Sequence, residues 1–444
     1  MNPAPFWTLA RVAQALGGGP SDGRALTGIT TDTRKIRAGE CFVALEGEQF
    51  DAHDFLAEAV AAGAAALVVN DARRAASLGV PVFEVPDTLI ALGALGRYRR
   101  LAWGRPVIAV GGSNGKTSTK ELLKAVLGSR LTVHATAGNL NNRIGVPLTL
   151  LALDDAADVA VIEAGTNEPG EIAILREIIH PDIAVVTTVQ EEHLEGLGDL
   201  AGVMAEELSL TDEVAVAVVP GDEPAVVAEA TRRAGRTLAP ELPHKHGLHA
   251  DGRGWVDLDG QRVEVPLRGL HNLRNAMLAI TVGREFGLSM EDIATGLDRM
   301  PAPPMRSAVT PLGRALLLND AYNANPGSAR AAIALLADIG GGRQRVAVLG
   351  TMRELGAHTE RAHREVAEAA LAAGHDIVCG IGEFAPALER LAPGDARVIT
   401  AADVDDLWPR LQPRLAPDAA ILLKASRGVK LERLVPILTT WAGA

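Results

Sequence analysis

Short runs of apolar residues alternate with longer segments whose apolar positions recur with a helical period. In the first hundred residues, the runs at 40–45 and 65–69 are typical of strands, and residues 53–62 follow an Ala-rich helical pattern. After Pro106, the apolar run 107–110 leads directly into a glycine-rich turn and then into a helix that begins near Lys116. Strands that alternate with helices in this way predict an α/β fold.

The alternation continues in two further blocks. Three apolar runs predict a central, doubly wound, mostly parallel sheet, at 159–162, 183–189 and 214–219. Four more runs predict a smaller Rossmann-like α/β domain, at 315–318, 345–349, 376–379 and 420–423. A proline cluster lies between the two blocks and marks a linker, because proline resists both helix and central strand: Pro301, Pro303, Pro304 and Pro311.

The length of the chain agrees with several domains. A chain of 444 residues exceeds what one hydrophobic core usually serves. We therefore divide it into a small N-terminal α/β domain at 1–98, a central domain at 99–307 and a C-terminal Rossmann-like domain at 308–444.

Composition and charge exclude several functions. With 48% apolar and 22% charged residues the chain has the composition of a packed globular enzyme. A net charge of −12 and only 3% aromatic residues disfavour a nucleic-acid groove or an anionic membrane surface. The longest apolar stretch, 59–69, is too short to span a bilayer, and no secretory signal precedes it. Cys41 and Cys379 have no metal-ligand spacing, so we expect buried thiols and a cytoplasmic protein.

The strongest local motif is the phosphate loop, residues 111–118, which reads Gly-Gly-Ser-Asn-Gly-Lys-Thr-Ser. Glycines let the backbone aim its N–H groups at phosphate oxygens, Lys116 adds a positive charge, and the Thr117 hydroxyl can ligate Mg²⁺. Val110 stands where the longer pattern has glycine, so this is the shorter G-x-x-G-K-T variant. We predict that the loop binds ATP through Gly112, Ser113, Asn114, Gly115, Lys116, Thr117 and Ser118.

Several further strings resemble one enzyme family. Residues 135–147 read ATAGNLNNRIGVP, and the other strings are TDTRK at 31–35, HNLRNA at 271–276, NDAYNANP at 319–326 and KASRG at 424–428. Together with the short phosphate loop they resemble the Mur ligase family over almost the whole chain. The strings at 135–147 and 320–325 are most similar to the branch that adds a dipeptide.

This resemblance implies a reaction in bacterial cell-wall synthesis. ATP would phosphorylate the carboxylate of UDP-N-acetylmuramoyl-tripeptide, and the amine of D-alanyl-D-alanine would attack the acyl phosphate. Lys116, Mg²⁺ and Arg306 would neutralise the transferring phosphoryl group, and no protein nucleophile is required. Family habit implies a monomer.

The resemblance also assigns roles to individual residues. Metal ligands would be Thr117, Glu163, His193 and, in place of a family lysine, Glu207. ATP would be contacted by Asn272 at the adenine, Arg306 at the phosphates and Asp320 at the ribose. Substrate contacts would come from Asp32, Thr33, Arg34, Asn139, Asn142, Tyr322, Asn323, Asn325, Lys424 and Arg427. As local chemistry alone, however, the string 32–34 is more typical of a capped turn than of a binding site.

Some positions depart from the family pattern. The family usually has, at the position of Glu207, a lysine that carries carbon dioxide as a carbamate and holds a second Mg²⁺. Two interpretations remain open for Glu207: a direct carboxylate ligand, or a solvated helix residue with a weak or absent second metal. Thr351 replaces a common aspartate, Met305 a usual glycine before Arg306, and Ala52 a usual glycine before His53.

Three alternatives stay open at this point. One is a sister ligase that adds a single amino acid, but the Asp-Asn-Pro-Arg motif typical of the ligase for the third residue is absent. Another is folylpolyglutamate synthase. The third is an ATP-binding relative that no longer ligates, which retention of Lys116, Thr117, Glu163, His193 and Arg306 argues against.

Overall fold

A computed structural model describes residues 5–47, 50–301 and 305–443. Pro303 and Pro304 of the predicted linker lie outside these described residues. The chain divides into two compact units. The first comprises Met1–Ala109, Thr132–Thr166 and Glu171–Asp182, and the second comprises Val110–Leu131, Asn167–Gly170 and Ile183–Ala444.

The first unit begins with a four-stranded parallel sheet in the order β1-β2-β3-β4. Its strands are β1 (Ile29–Thr30), β2 (Cys41–Val43), β3 (Ala66–Val69) and β4 (Val82–Glu84), and its helices are α1 (Leu9–Leu16), α2 (Leu56–Ala61) and α3 (Thr88–Trp103). Every residue of β2 and β3 is buried, as expected for strands covered on both faces. The thiol of Cys41 is buried in this sheet.

A second set of strands completes the first unit, in the order β5-β7-β6. The elements are β5 (Val107–Gly111), β6 (Val133–Ala135), α5 (Gly145–Leu151), β7 (Val159–Glu163) and α6 (Glu171–Ile179). Arg99 and Arg100 of α3 are buried, with ion pairs to Asp155 (2.6 Å) and Asp182 (2.8 Å). The proposed domain boundary at residue 98 falls within helix α3, which runs without a break from Thr88 to Trp103. The division into three domains remains an interpretation.

The second unit starts with the last two residues of β5, which continue the strand order β10-β9-β8-β5. The elements of this part are α4 (Lys116–Leu127), β8 (Ile183–Val186), α7 (Leu194–Leu197), α8 (Leu200–Leu208), β9 (Val216–Val218), α9 (Pro224–Arg233), β10 (Arg236–Leu238), α10 (Leu270–Glu285) and α11 (Met290–Asp298). An antiparallel sheet precedes α10, formed by β11 (His246–Leu248), β12 (Arg253–Leu258) and β13 (Gln261–Arg268). The apolar pattern had not indicated this sheet.

The rest of the second unit is a six-stranded sheet in the order β14-β15-β19-β16-β17-β18, parallel except for β14. Its strands are β14 (Ala308–Leu312), β15 (Ala315–Asn319), β16 (Arg345–Gly350), β17 (Ile377–Ile381), β18 (Val398–Ala401) and β19 (Ala420–Lys424). Its helices are α12 (Pro326–Gly340), α13 (Thr359–Ala372), α14 (Phe384–Leu391), α15 (Val404–Leu411) and α16 (Leu434–Gly443). Cys379 is buried in β17.

These sheets confirm the α/β class and the mostly parallel strands, with one correction. Pro311, assigned to the linker, lies inside β14. Strand β14 is at the edge of its sheet, where proline is tolerated because one side of the strand needs no hydrogen-bond donor. Within the described residues, no helix has the length and apolar character needed to cross a bilayer.

We predict that Gly296→Ala destabilises the second unit. A Cβ atom at Gly296 would lie 3.0 Å from the carbonyl carbon of Ala125 in α4 and still closer to its oxygen, so α11 would have to move away. Such overpacking costs about 1–3 kcal/mol, which exceeds the gain of about 1 kcal/mol from replacing a helical glycine. The melting temperature should fall by several degrees. Gly443→Ala in α16 is the control, because its Cβ would meet no atom within 4 Å; an unchanged melting temperature for Gly296→Ala would contradict this packing.

Candidate functional site

The phosphate loop connects the end of β5 to the start of α4 through two left-handed glycines. Gly112 has φ 111° and Gly115 has φ 86°, a region that other residues rarely adopt. A Cβ at Gly112 would lie 2.7 Å from Thr187 N, and one at Gly115 would lie 2.6 Å from Asn275 Nδ2. Both positions therefore require glycine for backbone conformation and for close approach.

The loop is held by residues that sequence reasoning missed. Thr187, just after β8, donates its hydroxyl to Asn114 O (2.5 Å), and its backbone N–H donates to Gly111 O (3.0 Å). Ser113 N donates to Thr188 O (2.8 Å), and Gln190 N donates to Ser113 Oγ (2.9 Å). The turn after β8 thus fixes the conformation of the loop.

Lys116 lies against the loop that contains it. Its Nζ donates to Gly112 O (2.5 Å) and is 3.6 Å from Glu192 Oε1. The start of an α-helix carries a partial positive charge, so the start of α4 and the Lys116 ammonium together form a positive end of the kind that binds phosphate.

Glu207 is completely buried beneath the loop. Its Oε2 accepts a hydrogen bond from Gly112 N (2.6 Å), and its Oε1 has no hydrogen-bond partner. The interpretation of Glu207 as a solvated helix residue is therefore wrong. The interpretation failed because the helical period of α8 shows which residues share a face of the helix, but not what that face packs against. Here the face that carries Glu207 packs against the glycine turn of the phosphate loop.

Glu192 lies buried beside Glu207. Burial and the negative charge of Glu207 raise the pKa of Glu192, and Lys116 and His193 oppose the rise, which leaves the pKa at about 7. Like charges in a low dielectric disfavour double ionisation. Near neutral pH this pair therefore retains a proton for part of the time.

His193 follows Glu192 in an unusual backbone conformation, with φ 48°. Its Nδ1 is 2.5 Å from Glu354 Oε2, and its Nε2 is 3.7 Å from Glu192 Oε2. Burial lowers the pKa of His193, but the Glu354 and Glu192 carboxylates outweigh burial and raise the pKa overall. The same contact lowers the pKa of Glu354.

A cluster of amide side chains links the loop to the start of α12. Asn114 and Asn325 exchange two hydrogen bonds of 3.1 and 2.9 Å, and Asn114 Nδ2 also donates to Gln190 Oε1 (3.0 Å). Asn325 additionally caps α12 by accepting from Ser328 N (2.9 Å). The structure thus brings together two predicted site residues that are far apart in sequence.

Other predicted residues gather at the ends of β15 and β19. Asp320 and Lys424 form an ion pair, and Asp320 Oδ1 accepts from Ser307 N (2.7 Å). The Arg306 guanidinium lies 4.3 Å from the centre of the Tyr322 ring, a cation–π contact. Met305, which replaces a family glycine, has φ 56°, so the left-handed conformation is kept without glycine.

The remaining residues of the second unit are more scattered. Asn272 is buried, donates from Nδ2 to Arg268 O (2.8 Å), and accepts at Oδ1 from Asn275 Nδ2 (3.1 Å). Arg427 is exposed, 3.4 Å from Glu432 Oε1, and Asn323 is exposed as well. Thr351 Oγ1 accepts from Glu383 N (3.1 Å).

In the first unit, Glu163 ends the buried strand β7. Its Oε1 accepts from Asn141 Nδ2 (2.9 Å), and its backbone N–H donates to Thr136 Oγ1 (2.9 Å). Asn141 was not among the predicted residues. Asn142 accepts from Gly145 N (2.9 Å) at the start of α5, whereas Asn139 is exposed.

The segment at 32–34 forms a capped turn. Asp32 accepts from Arg34 N (3.1 Å) and from the Arg34 guanidinium (2.8 and 3.0 Å), and Thr33 starts the short 3-10 helix Thr33–Lys35. The Arg34 guanidinium lowers the pKa of Asp32 to about 2. Local geometry here agrees with the turn interpretation and leaves substrate binding as a prediction.

Comparison with known proteins identifies the family. The Mur ligase family catalytic domain matches residues 25–100, the Mur ligase middle domain matches 110–283, and the Mur ligase glutamate ligase domain matches 305–427. The chain belongs to the Mur ligase family, which confirms the resemblance.

Individual proteins similar to this chain narrow the comparison to one branch of the family. The UDP-N-acetylmuramoyl-tripeptide–D-alanyl-D-alanine ligase of Escherichia coli is 38% identical over 93% of this chain and 94% of its own. The Bacillus subtilis enzyme of the same name is 35% identical over 92% of each chain. The crystal structure of MurF from Acinetobacter baumannii matches with a TM-score of 0.90 and 29% identity, over 99% of this chain and 100% of its own. MurF from Thermotoga maritima, solved with ADP, matches with a TM-score of 0.81 and 27% identity, over 94% and 97%.

We predict that Glu207→Gln weakens the dependence of stability on pH. The folded-state pKa of Glu192, about 7, lies above its ordinary value of 4.5. The contribution of Glu192 to the stability of the folded state is therefore complete below pH 4.5 and is lost as pH rises through 7. Removing the Glu207 charge lowers the Glu192 pKa and shrinks this loss. The melting temperature of the variant minus that of the native protein should become more positive as the pH is raised from 5 to 7.5.

Glu206→Gln is the matched control, because Glu206 is a neighbouring buried carboxylate that accepts from Gly170 N (2.7 Å) rather than from the loop. An equal rise in both variants, or none in Glu207→Gln, would contradict the coupling of Glu192 to Glu207.

Proposed function

We propose that this chain joins D-alanyl-D-alanine to UDP-N-acetylmuramoyl-tripeptide with the use of ATP, giving the pentapeptide precursor of the bacterial cell wall. The observation that carries the proposal is a well-formed phosphate loop in a chain that matches ligases of this name over more than nine tenths of its length. The ADP complex of the Thermotoga maritima relative supports nucleotide binding by this chain.

The phosphate loop would hold the transferring phosphates. Gly112 N and Ser113 N are bonded to Glu207 and to Thr188 O, so the N–H groups at the start of α4 would be the ones that face the phosphate oxygens. Lys116 would neutralise charge that develops on the γ-phosphoryl group. Arg306 would add a second positive charge, and the Tyr322 ring beneath it restricts its movement. Asp320 and Asn272 would contact the ribose and the adenine.

The chemistry needs positioning rather than a protein nucleophile. The tripeptide carboxylate attacks the γ-phosphorus and forms an acyl phosphate with release of ADP. The amine of the dipeptide then attacks the acyl carbon, loses a proton and expels phosphate. Fixed positive charge around the phosphoryl oxygens is the main stabilising effect. In the first unit, Asp32, Thr33, Arg34, Asn139 and Asn142 are proposed for the nucleotide sugar; Lys424, Arg427 and Asn323 are proposed for the dipeptide.

The residues near the loop fit a magnesium ion. Glu207 Oε1 is a buried acceptor without a hydrogen-bond partner, and Glu192 Oε1 has only the ion-pair contact of 3.6 Å with Lys116 Nζ. Carboxylate oxygens of this kind suit a hard cation. No cluster of three or more acidic, His or Cys side chains arranged for a metal occurs among the described residues; Mg²⁺ commonly uses one or two carboxylates together with water and substrate phosphates. Thr117, His193 and Glu207 would hold it, and Glu163 stays a predicted ligand. When bound, Mg²⁺ supplies charge neutralisation to the β- and γ-phosphates.

Glu207 suggests a site that works without carbon dioxide. A glutamate cannot form the lysine carbamate that the family resemblance implies, yet its carboxylate already lies against Gly112 N. We therefore propose that activity is independent of bicarbonate. The chain acts in the cytoplasm as a monomer in this proposal.

The first test is phosphate release from ATP with UDP-N-acetylmuramoyl-tripeptide and either D-alanyl-D-alanine, single amino acids or no amine. Release that requires the dipeptide is expected. Lys116→Met should reduce the rate about 10²-fold or more, because it removes a charge from the transferring phosphoryl group. Lys124→Met on the exposed side of α4 is the matched control. Release only with a single amino acid would assign a sister ligase, and no release at all would favour a non-catalytic relative.

A second test separates the two roles of Glu207. We expect the native rate to be the same with and without added bicarbonate, and Glu207→Ala to raise the Mg²⁺ concentration needed for half-maximal activity. A bicarbonate requirement would overturn the carbamate-free site. Unchanged Mg²⁺ dependence in Glu207→Ala would leave Glu207 as a support of the loop and not a ligand.

A further inference from the structure

Two segments of the second unit are attached to each other by several contacts. The His193 segment, residues 191–198, follows β8 beside the phosphate loop, and the Glu354 segment, residues 354–361, follows β16 in the C-terminal sheet. Glu195 N donates to Glu354 O (3.1 Å), and His358 Nε2 is 3.1 Å from Gly198 O. The Arg361 guanidinium donates to Glu191 Oε1 (2.9 Å).

The fit between the segments is tight. A Cβ at Gly356 would lie 3.1 Å from Glu195 Cα, so the two backbones are almost in contact. His193 and Glu354, which face each other across this junction, both have left-handed backbone conformations, with φ 48° and 63°. Non-glycine residues in this region are strained by about 1 kcal/mol or more and persist where the surroundings hold them. Strain on both sides of one side-chain contact indicates a constrained geometry.

The contact leaves the His193 ring with one defined orientation. Nδ1 is 2.5 Å from Glu354 Oε2, and the opposite nitrogen, Nε2, is turned toward Glu192, which in turn faces Lys116 of the phosphate loop. The Nδ1 contact is a close ion-pair contact rather than an aligned hydrogen bond. The negative charge beside Nδ1 favours a proton on that nitrogen, so in the neutral imidazole the Nε2 lone pair lies on the loop side of the ring.

We propose that Glu354 is a positioning residue for His193: it fixes the tautomer and orientation of the imidazole so that Nε2 serves the metal and phosphate site. This inference rests on the proposed function and extends it. Because Glu354 comes from the C-terminal sheet, the imidazole is oriented only while the Glu354 segment is docked on the His193 segment. Assembly of the phosphate site is thereby coupled to the position of the C-terminal part that carries Asp320 and Lys424.

The contact is unlike an ordinary surface ion pair, which contributes little and depends on flexible side chains. The Glu354 side chain is half exposed, but the His193 side chain that it contacts is mostly buried. The backbone carbonyl of Glu354 also accepts a hydrogen bond from Glu195 N. Carboxylates that orient a metal-binding histidine typically change metal affinity by about 10- to 100-fold when they are removed.

The test is isothermal titration calorimetry of ADP with and without Mg²⁺, which reads out binding apart from turnover. Glu354→Ala should weaken Mg²⁺-dependent ADP binding about tenfold or more and leave Mg²⁺-free ADP binding unchanged. Glu354→Asp, which keeps the charge, should restore part of the affinity. His193→Ala should cause a similar loss, and the double variant should lose no more than His193→Ala alone, because both changes remove the same oriented imidazole.

Two controls separate this role from general stability. Glu360→Ala, on the exposed start of α13 where the carboxylate pairs with Arg390, should bind Mg²⁺ and ADP like the native protein. Arg361→Ala removes a docking contact without touching His193 and should weaken Mg²⁺-dependent binding by less than Glu354→Ala. Additive losses in the double variant, or equal losses with and without Mg²⁺, would overturn the positioning role. Failure of the native chain to bind ADP at all would instead overturn the proposed function.

Discussion

The arrangement of the site depends on one buried hydrogen bond, from Gly112 N to the carboxylate of Glu207. Burying a carboxylate is costly unless donors and opposite charge compensate for the lost water. Here the compensation comes from the loop itself, through the Gly112 amide, and the loop in turn obtains an acceptor for an N–H that its left-handed turn directs inward. Each part thus satisfies a polar group of the other, and the position of α8 supports the path of the loop.

The same carboxylate determines the charges of its neighbours. Glu192 must share the buried space with Glu207, and burial together with that charge raises the pKa of Glu192 to about 7. Lys116 and His193 offset part of the negative charge, and Glu354 then offsets the charge on His193. A chain of charged side chains thus runs from the Glu207 and Glu192 carboxylates beneath the loop, through Lys116 and His193, to Glu354. The Asn114 and Asn325 amides connect the same two parts without charge.

The features that could be predicted from the sequence are those that depend on residues close together along the chain. The apolar runs gave the strands, and the spacing of Gly112, Gly115 and Lys116 gave the strand, turn and helix around the phosphate loop. Thr187, Asn275 and Glu354 could not be found in this way, because each acts on a partner brought close only by the tertiary fold. Glu207 was found as a departure from a family pattern, but its burial was undecidable from a helical period. Pro311 was misassigned because a proline near a proline cluster is equally compatible with a linker and with an edge strand.

The geometry beneath the loop also explains why this position accepts glutamate. The inward Gly112 N–H requires an oxygen acceptor, and the site is fully buried, so water does not supply one. An unmodified lysine would place a donor and a positive charge against that N–H, close to Lys116. A lysine carbamate ends in a carboxylate and satisfies the same requirement at the end of a longer stem, whereas Glu207 presents its carboxylate directly. The constraint at this position is therefore an acidic acceptor facing the loop, and glutamate meets it without a modification that depends on dissolved carbon dioxide.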